Sequence, residues 1–134
     1  MVYLSLQRQN FTGIQMKVDL KADTEIELES TFSFNVNYND DNSGCIAELS
    51  QKVRQKSNPD EFNIVVDCRG QFVCEGIVSD ETKKEAHVMA YTLLFPYVQN
   101  MIARLVMEAG LPPLMLGMVK MDINDVAVTN NVNA

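Results

Sequence analysis

The sequence predicts an α+β fold, with antiparallel strands in the first part of the chain and helices in the C-terminal part. Apolar residues recur at every second position over residues 26–38, and they recur at helical spacing after Ser79. A chain of 134 residues that is 46% apolar can bury one core. We therefore expect a single domain over residues 1–134, with mainly strands over 1–78, helices over 79–110, and an apolar strap with a frayed tail over 111–134.

The first strand region covers residues 2–20. Its apolar side chains share one parity at both ends, but the alternation fails in the middle, where Gly13 indicates a β-bulge. This pattern predicts one long, bent strand or two short ones. The apolar positions are Val2, Leu4, Leu6, Ile14, Met16, Val18 and Leu20.

The second strand region has the clearest period in the chain. One face is apolar and the other carries Glu, Thr, Ser and Asn, which is typical of a strand in an antiparallel sheet with one wet face. Residues 39–44 are rich in Asn and Asp and predict a turn. The apolar face consists of Ile26, Leu28, Phe32, Phe34, Val36 and Tyr38.

Residues 45–56 fit two structures. Ile46, Leu49 and Val53 lie at helical spacing, and the pattern alone favours a helix. The alternative is an edge strand, whose inner face would carry Ala47, Leu49, Gln51 and Val53.

Residues 62–74 are rich in β-branched and aromatic residues and predict another strand. Gly70 interrupts it, which indicates a bulge or a close approach of the backbone to another element.

The helical region begins after Ser79. Ser79 or Thr82 can cap it, and Thr82 and Glu85 have the spacing of a capping box. Pro96 lacks an N–H, so we expect either a kink or a new helix at that point, and Gly110 is placed to end the region. The two apolar stripes are Ala86, Met89, Ala90, Leu93, Leu94 and Tyr97, and then Val98, Met101, Ile102, Leu105, Val106 and Ala109.

The helical residues after Pro96 have a narrow polar face, with only Gln99, Asn100, Arg104 and Glu108 clearly polar. A helix that lies on a monomer surface normally shows a broader one. We therefore expect one side to cover the sheet and the other to meet a second subunit in a homo-oligomer, either a dimer or a tetramer. The candidate interface residues are Tyr97, Met101, Ala103, Arg104 and Met107.

The chain stays apolar after Gly110, and prolines exclude a regular helix at the start of this segment. It is either buried as an extended strap or exposed as an apolar patch. Flexible thioethers suit a surface that accepts many apolar partners. The candidate binding residues are Leu111, Leu114, Met115, Leu116, Met118 and Met121.

Charge and cysteine content exclude several functional classes. The net charge of −7 disfavours nucleic acid, and the one adjacent basic pair, Lys83-Lys84, fits a solvated helix face. No apolar run reaches the roughly 18 residues of a membrane span, and the N-terminus lacks the features of a signal peptide. Three cysteines without metal-ligand spacing indicate free thiols in a reducing compartment, hence the cytoplasm.

No set of residues predicts catalysis, a metal site or a cofactor. His87 is the single histidine and lies in a helix without a nucleophile in a triad-like context. Cys68 and Cys74 can be neighbours across a strand bend, but buried thiols are the better interpretation. The expectation is that this protein is not an enzyme.

Several motifs resemble the SecB family of export chaperones. Leu94-Phe95-Pro96-Tyr97 and Gly110-Leu111-Pro112-Pro113-Leu114 resemble that family's Leu-Phe-Pro-Tyr helix start and Gly-x-Pro-Pro-Leu turn. Leu4-x-Leu6-Gln7-Arg8 resembles its first strand, and Gly70-Gln71-Phe72 resembles part of its last strand.

The resemblance implies a four-stranded antiparallel sheet with C-terminal helices packed on one face, in which residues 45–56 are the third strand. It also implies tetramers built as dimers of dimers. Family members hold unfolded preproteins in the cytosol without ATP and pass them to the SecA motor. However, Gly13 and Lys17 stand where the family docks SecA through acidic residues, which counts against SecA as a partner.

Two hypotheses follow from the resemblance and the departures from it. The first is an ATP-independent, SecB-like chaperone that binds unfolded polypeptides in the cytosol, with export as the role that the resemblance implies. The alternative is an adaptor or scaffold with the same fold that binds one specific protein, as chaperones associated with toxin–antitoxin systems do.

Overall fold

The computed structural model describes residues 1–21, 26–112, 114, 117 and 121. Within them the elements follow in the order β1 (Tyr3–Val18), β2 (Leu28–Tyr38), β3 (Gly44–Gln55), β4 (Phe62–Glu75) and α1 (Asp80–Glu108). The strands form one antiparallel sheet in the order β1-β4-β3-β2, and α1 packs on one face of it. The predicted α+β class and the four-stranded sheet with helical cover are confirmed.

β1 is one long strand rather than two short ones. It pairs with β4 along its whole length, with register shifts between Leu6 and Arg8 and between Phe11 and Gly13. The bulge predicted at Gly13 is therefore confirmed, and a second irregularity lies at Gln7. Because each shift adds one residue to β1, Leu4 and Ile14 both face the helix despite the broken alternation between them.

β3 corrects the helix that the pattern favoured for residues 45–56. Its side chains alternate strictly between buried and exposed, as in a strand with one covered face. Two of the buried side chains are the amides Gln51 and Gln55, so the inner face does not read as apolar in the sequence. The inner face consists of Cys45, Ala47, Leu49, Gln51, Val53 and Gln55.

The two buried amides join β3 to the segment that begins β2. Gln51 Nε2 donates to Ser30 Oγ and to the Thr31 carbonyl, and Gln55 Oε1 accepts from the Glu27 backbone N–H at 2.9 Å. These hydrogen bonds offset part of the cost of burying the two amides, although Gln51 Oε1 is buried without a hydrogen-bond partner among the described residues.

α1 is a single helix of 29 residues that continues through Pro96, so the expectation of a new helix at that proline is wrong. Pro96 is exposed, and water can hydrate the carbonyl that its missing N–H leaves unpaired. Leu94, Phe95 and Val98 are buried on both sides of it, so both halves of the helix pack on the core.

The helix ends are capped by Ser79 and Gly110. Ser79 is the N-cap and forms a capping box with Thr82, rather than the predicted Thr82–Glu85 box. Gly110 has φ 78°, a left-handed conformation that favours glycine, and its N–H donates to the Met107 carbonyl. The predicted end of the helix at Gly110 is confirmed.

The core lies between α1 and the inner face of the sheet. Tyr91 is central to it: its ring centroid lies 5.2 Å from that of Phe32, 5.5 Å from Phe34 and 5.8 Å from Phe95. These contacts set the side of the helix that faces β2. Gly70 of β4 lies directly beneath Leu94, and this confirms the close approach expected at that glycine.

Candidate polypeptide-binding surface

The inner face of the sheet extends beyond the part that the helix covers. Ile14 and Met16 of β1 pair with Val66 and Ile64 of β4 and so point to the same face. Both β4 side chains are 0% exposed, whereas Ile14 is 45% and Met16 is 42% exposed. The apolar inner face is therefore open along β1, which is an edge strand of the sheet.

One flank of the helix adds apolar side chains to this opening. Leu93, Tyr97 and Met101 are spaced by four residues and therefore lie above one another on α1. Tyr91 and Phe95 occupy the side toward β2, so helix geometry turns this flank toward β1. Leu93 is 38% and Tyr97 42% exposed, and Met101 is half-buried.

We call this region the open face, and it comprises Ile14, Met16, Leu93, Tyr97 and Met101. Exposed apolar side chains on an edge strand and on the helix that covers the sheet are candidates for interaction with another polypeptide. It contains no charged side chain of its own, and the ring of Tyr97 supplies both apolar area and a hydroxyl.

The predicted oligomer-interface residues are divided between the exposed side of α1 and its flanks, and Met101 also packs against the core. Tyr97 and Met101 belong to the open face. Arg104 follows them on the same flank and is exposed. Met107 is 60% exposed on the outermost side, and Ala103 is half-buried toward the other flank. Their role as a subunit interface remains a prediction.

Of the six predicted binding residues after Gly110, the structure describes three. Leu111, Leu114 and Met121 are half-buried and pack against the core, as the extended-strap interpretation expects for them. Met115, Leu116 and Met118 lie outside the described residues. A role of these six residues in binding also remains a prediction.

The outer face of the sheet has a different chemistry. It holds a shallow polar depression of about 290 Å³ between Thr12, Ser33, Ser50 and Asp67. Ion pairs cross the strands beside it, with Arg54 Nε 2.6 Å from Glu29 Oε1 and Arg69 Nη2 3.5 Å from Glu48 Oε1. Exposed pairs of this kind contribute little stability, but they make this face hydrophilic. The outer face is therefore largely polar, although Ile46 and Val73 also expose apolar side chains on it.

Burial shifts the pKa of several titratable side chains. Burial lowers the pKa of His87, whose ring packs edge-on against Phe34 at 4.9 Å. Burial raises the pKa of the Cys45, Cys68 and Cys74 thiols. Among the residues that the structure describes, no three His, Cys, Asp or Glu side chains converge as a metal site would require.

All three cysteines are buried free thiols, as the sequence predicted. The neighbour of Cys74, however, is Cys45 rather than Cys68, because β3 and β4 are adjacent and place both sulfur atoms beneath one end of the sheet. Spacing along the chain gave no signal for this pair.

Sequence reasoning also missed the exposure of Ile14 and Met16. Their parity is that of core residues, and only the position of the helix shows that they are uncovered.

In the described part of the chain no helix combines the length and apolarity required to span a bilayer.

Comparison with known proteins agrees with this architecture. The family model described as preprotein translocase subunit SecB matches residues 2–123. The protein-export protein SecB of Neorickettsia sennetsu is 33% identical over 69 residues, which are 48% of this chain and 42% of that protein. The alignment thus spans less than half the length of this curated relative.

A solved structure shares the fold. A SecB-like chaperone of Mycobacterium tuberculosis, in complex with a peptide from the HigA1 antitoxin, superposes with a TM-score of 0.70. The match covers 89% of this chain and 92% of that one, at 16% sequence identity. Since the family model matches nearly the whole chain, this protein belongs to the SecB family.

Proposed function

We propose that this protein is an ATP-independent chaperone that binds unfolded polypeptides in the cytoplasm. The observation that carries the proposal is the open face, where the apolar inner face of the sheet continues past the helix at Ile14 and Met16. Unfolded chains offer apolar segments in many sequences, and a surface of aliphatic, thioether and aromatic side chains can accept them without strict sequence choice. Such binding requires neither a nucleotide nor covalent chemistry.

We propose further that the protein is a homo-oligomer whose subunits meet through the outward half of α1. Met107 and Tyr97 expose large apolar side chains there, and Arg104 supplies a charge at the rim. Aromatic, methionine and arginine residues are enriched in protein interfaces. In an oligomer of this kind, part of the open face is shared between subunits and the remainder is left for clients.

An adaptor that serves one specific protein is the second candidate function. Gly13 and Lys17 of β1 favour it, because the resemblance places acidic SecA-docking residues in that region and this chain has none at those two positions. The solved SecB-like chaperone that shares the fold holds a peptide of an antitoxin. One defined partner is therefore a reasonable alternative to many preproteins, and SecA is not expected to bind tightly.

Light scattering of a denatured, aggregation-prone protein diluted into buffer tests the proposal. The native mass of the protein is measured first, and the dilution is then performed with and without it, in the absence of nucleotide. A chaperone reduces the scattering at near-stoichiometric ratios. A folded oligomer that leaves the scattering unchanged contradicts the proposal. Recovery of one stoichiometric partner in a pulldown would then support the second candidate function, an adaptor for one specific protein.

A further inference from the structure

Two of the three thiols lie in contact with each other. Cys45 of β3 and Cys74 of β4 are each 4% exposed, and their Sγ atoms are 3.3 Å apart, with Cys74 donating to Cys45. The third thiol differs, because Cys68 Sγ accepts a hydrogen bond from Gln9 Nε2 at 3.3 Å. Only the first two are placed to react with one another.

The sheet register makes Cys45 and Cys74 diagonal neighbours. Cys45 pairs with Phe72, so Cys74 lies two residues further along β4 and points to the same face. A disulfide has an S–S bond of about 2.05 Å, so the sulfur atoms must approach by roughly 1.2 Å. Diagonal residues in antiparallel sheets have Cα atoms about 7–8 Å apart, slightly more than a relaxed disulfide spans.

The pair lies near one end of the sheet. Cys45 is the second residue of β3, and Cys74 is the second-last residue of β4. A bond formed there against some resistance of the backbone is strained, and strained disulfides are the more easily reduced ones.

We propose that Cys45 and Cys74 form a reversible redox pair that a hydroperoxide oxidises to an intrachain disulfide. One thiol, as its thiolate, attacks an oxygen of hydrogen peroxide, becomes a sulfenic acid and releases hydroxide, which leaves as water with the thiol proton. The second sulfur then attacks the sulfenic sulfur, and the S–S bond forms as a second water leaves. Two thiols and one peroxide thus yield one disulfide and two waters.

Burial sets which oxidant reaches the pair. The raised pKa values of both thiols make the thiolate scarce, which slows reaction with any oxidant. Each cysteine is only 4% exposed, which disfavours a bulky charged disulfide such as oxidised glutathione much more than a small oxidant. A surface depression of about 300 Å³ lies beside this end of the sheet, and Cys45, Ile46, Gln71 and Phe72 are among the residues that line it. Hydrogen peroxide should therefore oxidise the pair faster than oxidised glutathione at equal concentration.

Peptide mapping of the oxidised protein tests the proposal directly. Trypsin separates the cysteines into three peptides, residues 22–52, 57–69 and 70–83, which contain Cys45, Cys68 and Cys74. After peroxide treatment of the folded protein and blocking of the remaining thiols, we expect a cross-link between the first and last peptides only. Thiols that react in denaturant should fall from three to one, and dithiothreitol should restore all three.

Alanine variants supply the matched control. Cys68→Ala should still lose both of its remaining thiols to peroxide, whereas Cys45→Ala and Cys74→Ala should keep both of theirs. A disulfide that includes Cys68, a disulfide between chains, or sulfinic acid without any cross-link would overturn the proposal. If an alanine variant does not fold, the cross-linked peptides of the unaltered protein decide the question.

Discussion

The sheet and the helix approach each other closely at Gly70, and a single methyl group there should be costly. A Cβ built at residue 70 would lie 2.6 Å from Leu94 Cδ2 and 3.0 Å from Phe72 Cε2. Leu94 is 0% and Phe72 1% exposed, so neither side chain has free space into which to move.

The expected cost of Gly70→Ala follows from two opposing effects. Overpacking of a core costs about 1–3 kcal/mol. Replacing glycine by alanine reduces the entropy of the unfolded chain and returns about 0.4–1 kcal/mol. We therefore expect the free energy of unfolding to fall by about 1–2 kcal/mol, measured by urea denaturation at one fixed protein concentration, with an unchanged m-value.

A double-mutant cycle with Leu94→Ala shows whether the clash is the cause. Leu94→Ala alone should cost about 2–5 kcal/mol because it leaves a cavity in the core. The methyl group at residue 70 then enters that cavity, so Gly70→Ala should be neutral or slightly stabilising in this background. Equal effects of Gly70→Ala in both backgrounds would refute the proposed contact.

Three further perturbations test other parts of the fold. Ile102→Ala should lower the free energy of unfolding by about 2–5 kcal/mol and Leu105→Ala by less, because Ile102 is fully buried and Leu105 half-buried. Urea denaturation of the two variants measures this difference. Burial lowers the pKa of His87 below its value of 6.5 in the unfolded chain, so the free energy of unfolding should be highest above pH 6.5 and should decline as the pH falls toward the pKa of the folded state. His87→Gln should lack this part of the pH dependence when denaturation is measured at a series of pH values. Met107→Glu should lower the native mass in multi-angle light scattering and leave the circular dichroism unchanged.

The sequence predicts best those elements that have one face packed on the core and the other in water, because their apolar residues then recur with a clear period. The alternation of β2 predicts its strand and its half-buried face, and the spacing after Ser79 predicts the helix and its sheet-facing stripe. For β3 the pattern alone favoured a helix, whereas the family resemblance implied the strand that the structure shows. The pattern was misleading because the amides Gln51 and Gln55 occupy inner positions and form hydrogen bonds there.

The candidate site depends on features that a linear pattern does not contain. Ile14 and Met16 have the parity of core residues, and their exposure follows from where α1 lies on the sheet. The contact between Cys45 and Cys74 follows from the register of β3 on β4. Both are consequences of tertiary packing, which local periodicity does not specify.

The central claim is that the open face binds unfolded polypeptide, and a pair of adjacent substitutions tests it most directly. Met16→Asp places a charge on the open face, whereas Gln15→Asp places the same charge one residue away on the polar outer face. Suppression of client aggregation is measured by light scattering for both variants after their native masses are compared. We expect Met16→Asp to lose most of the suppression and Gln15→Asp to retain it. Full suppression by Met16→Asp would contradict the claim.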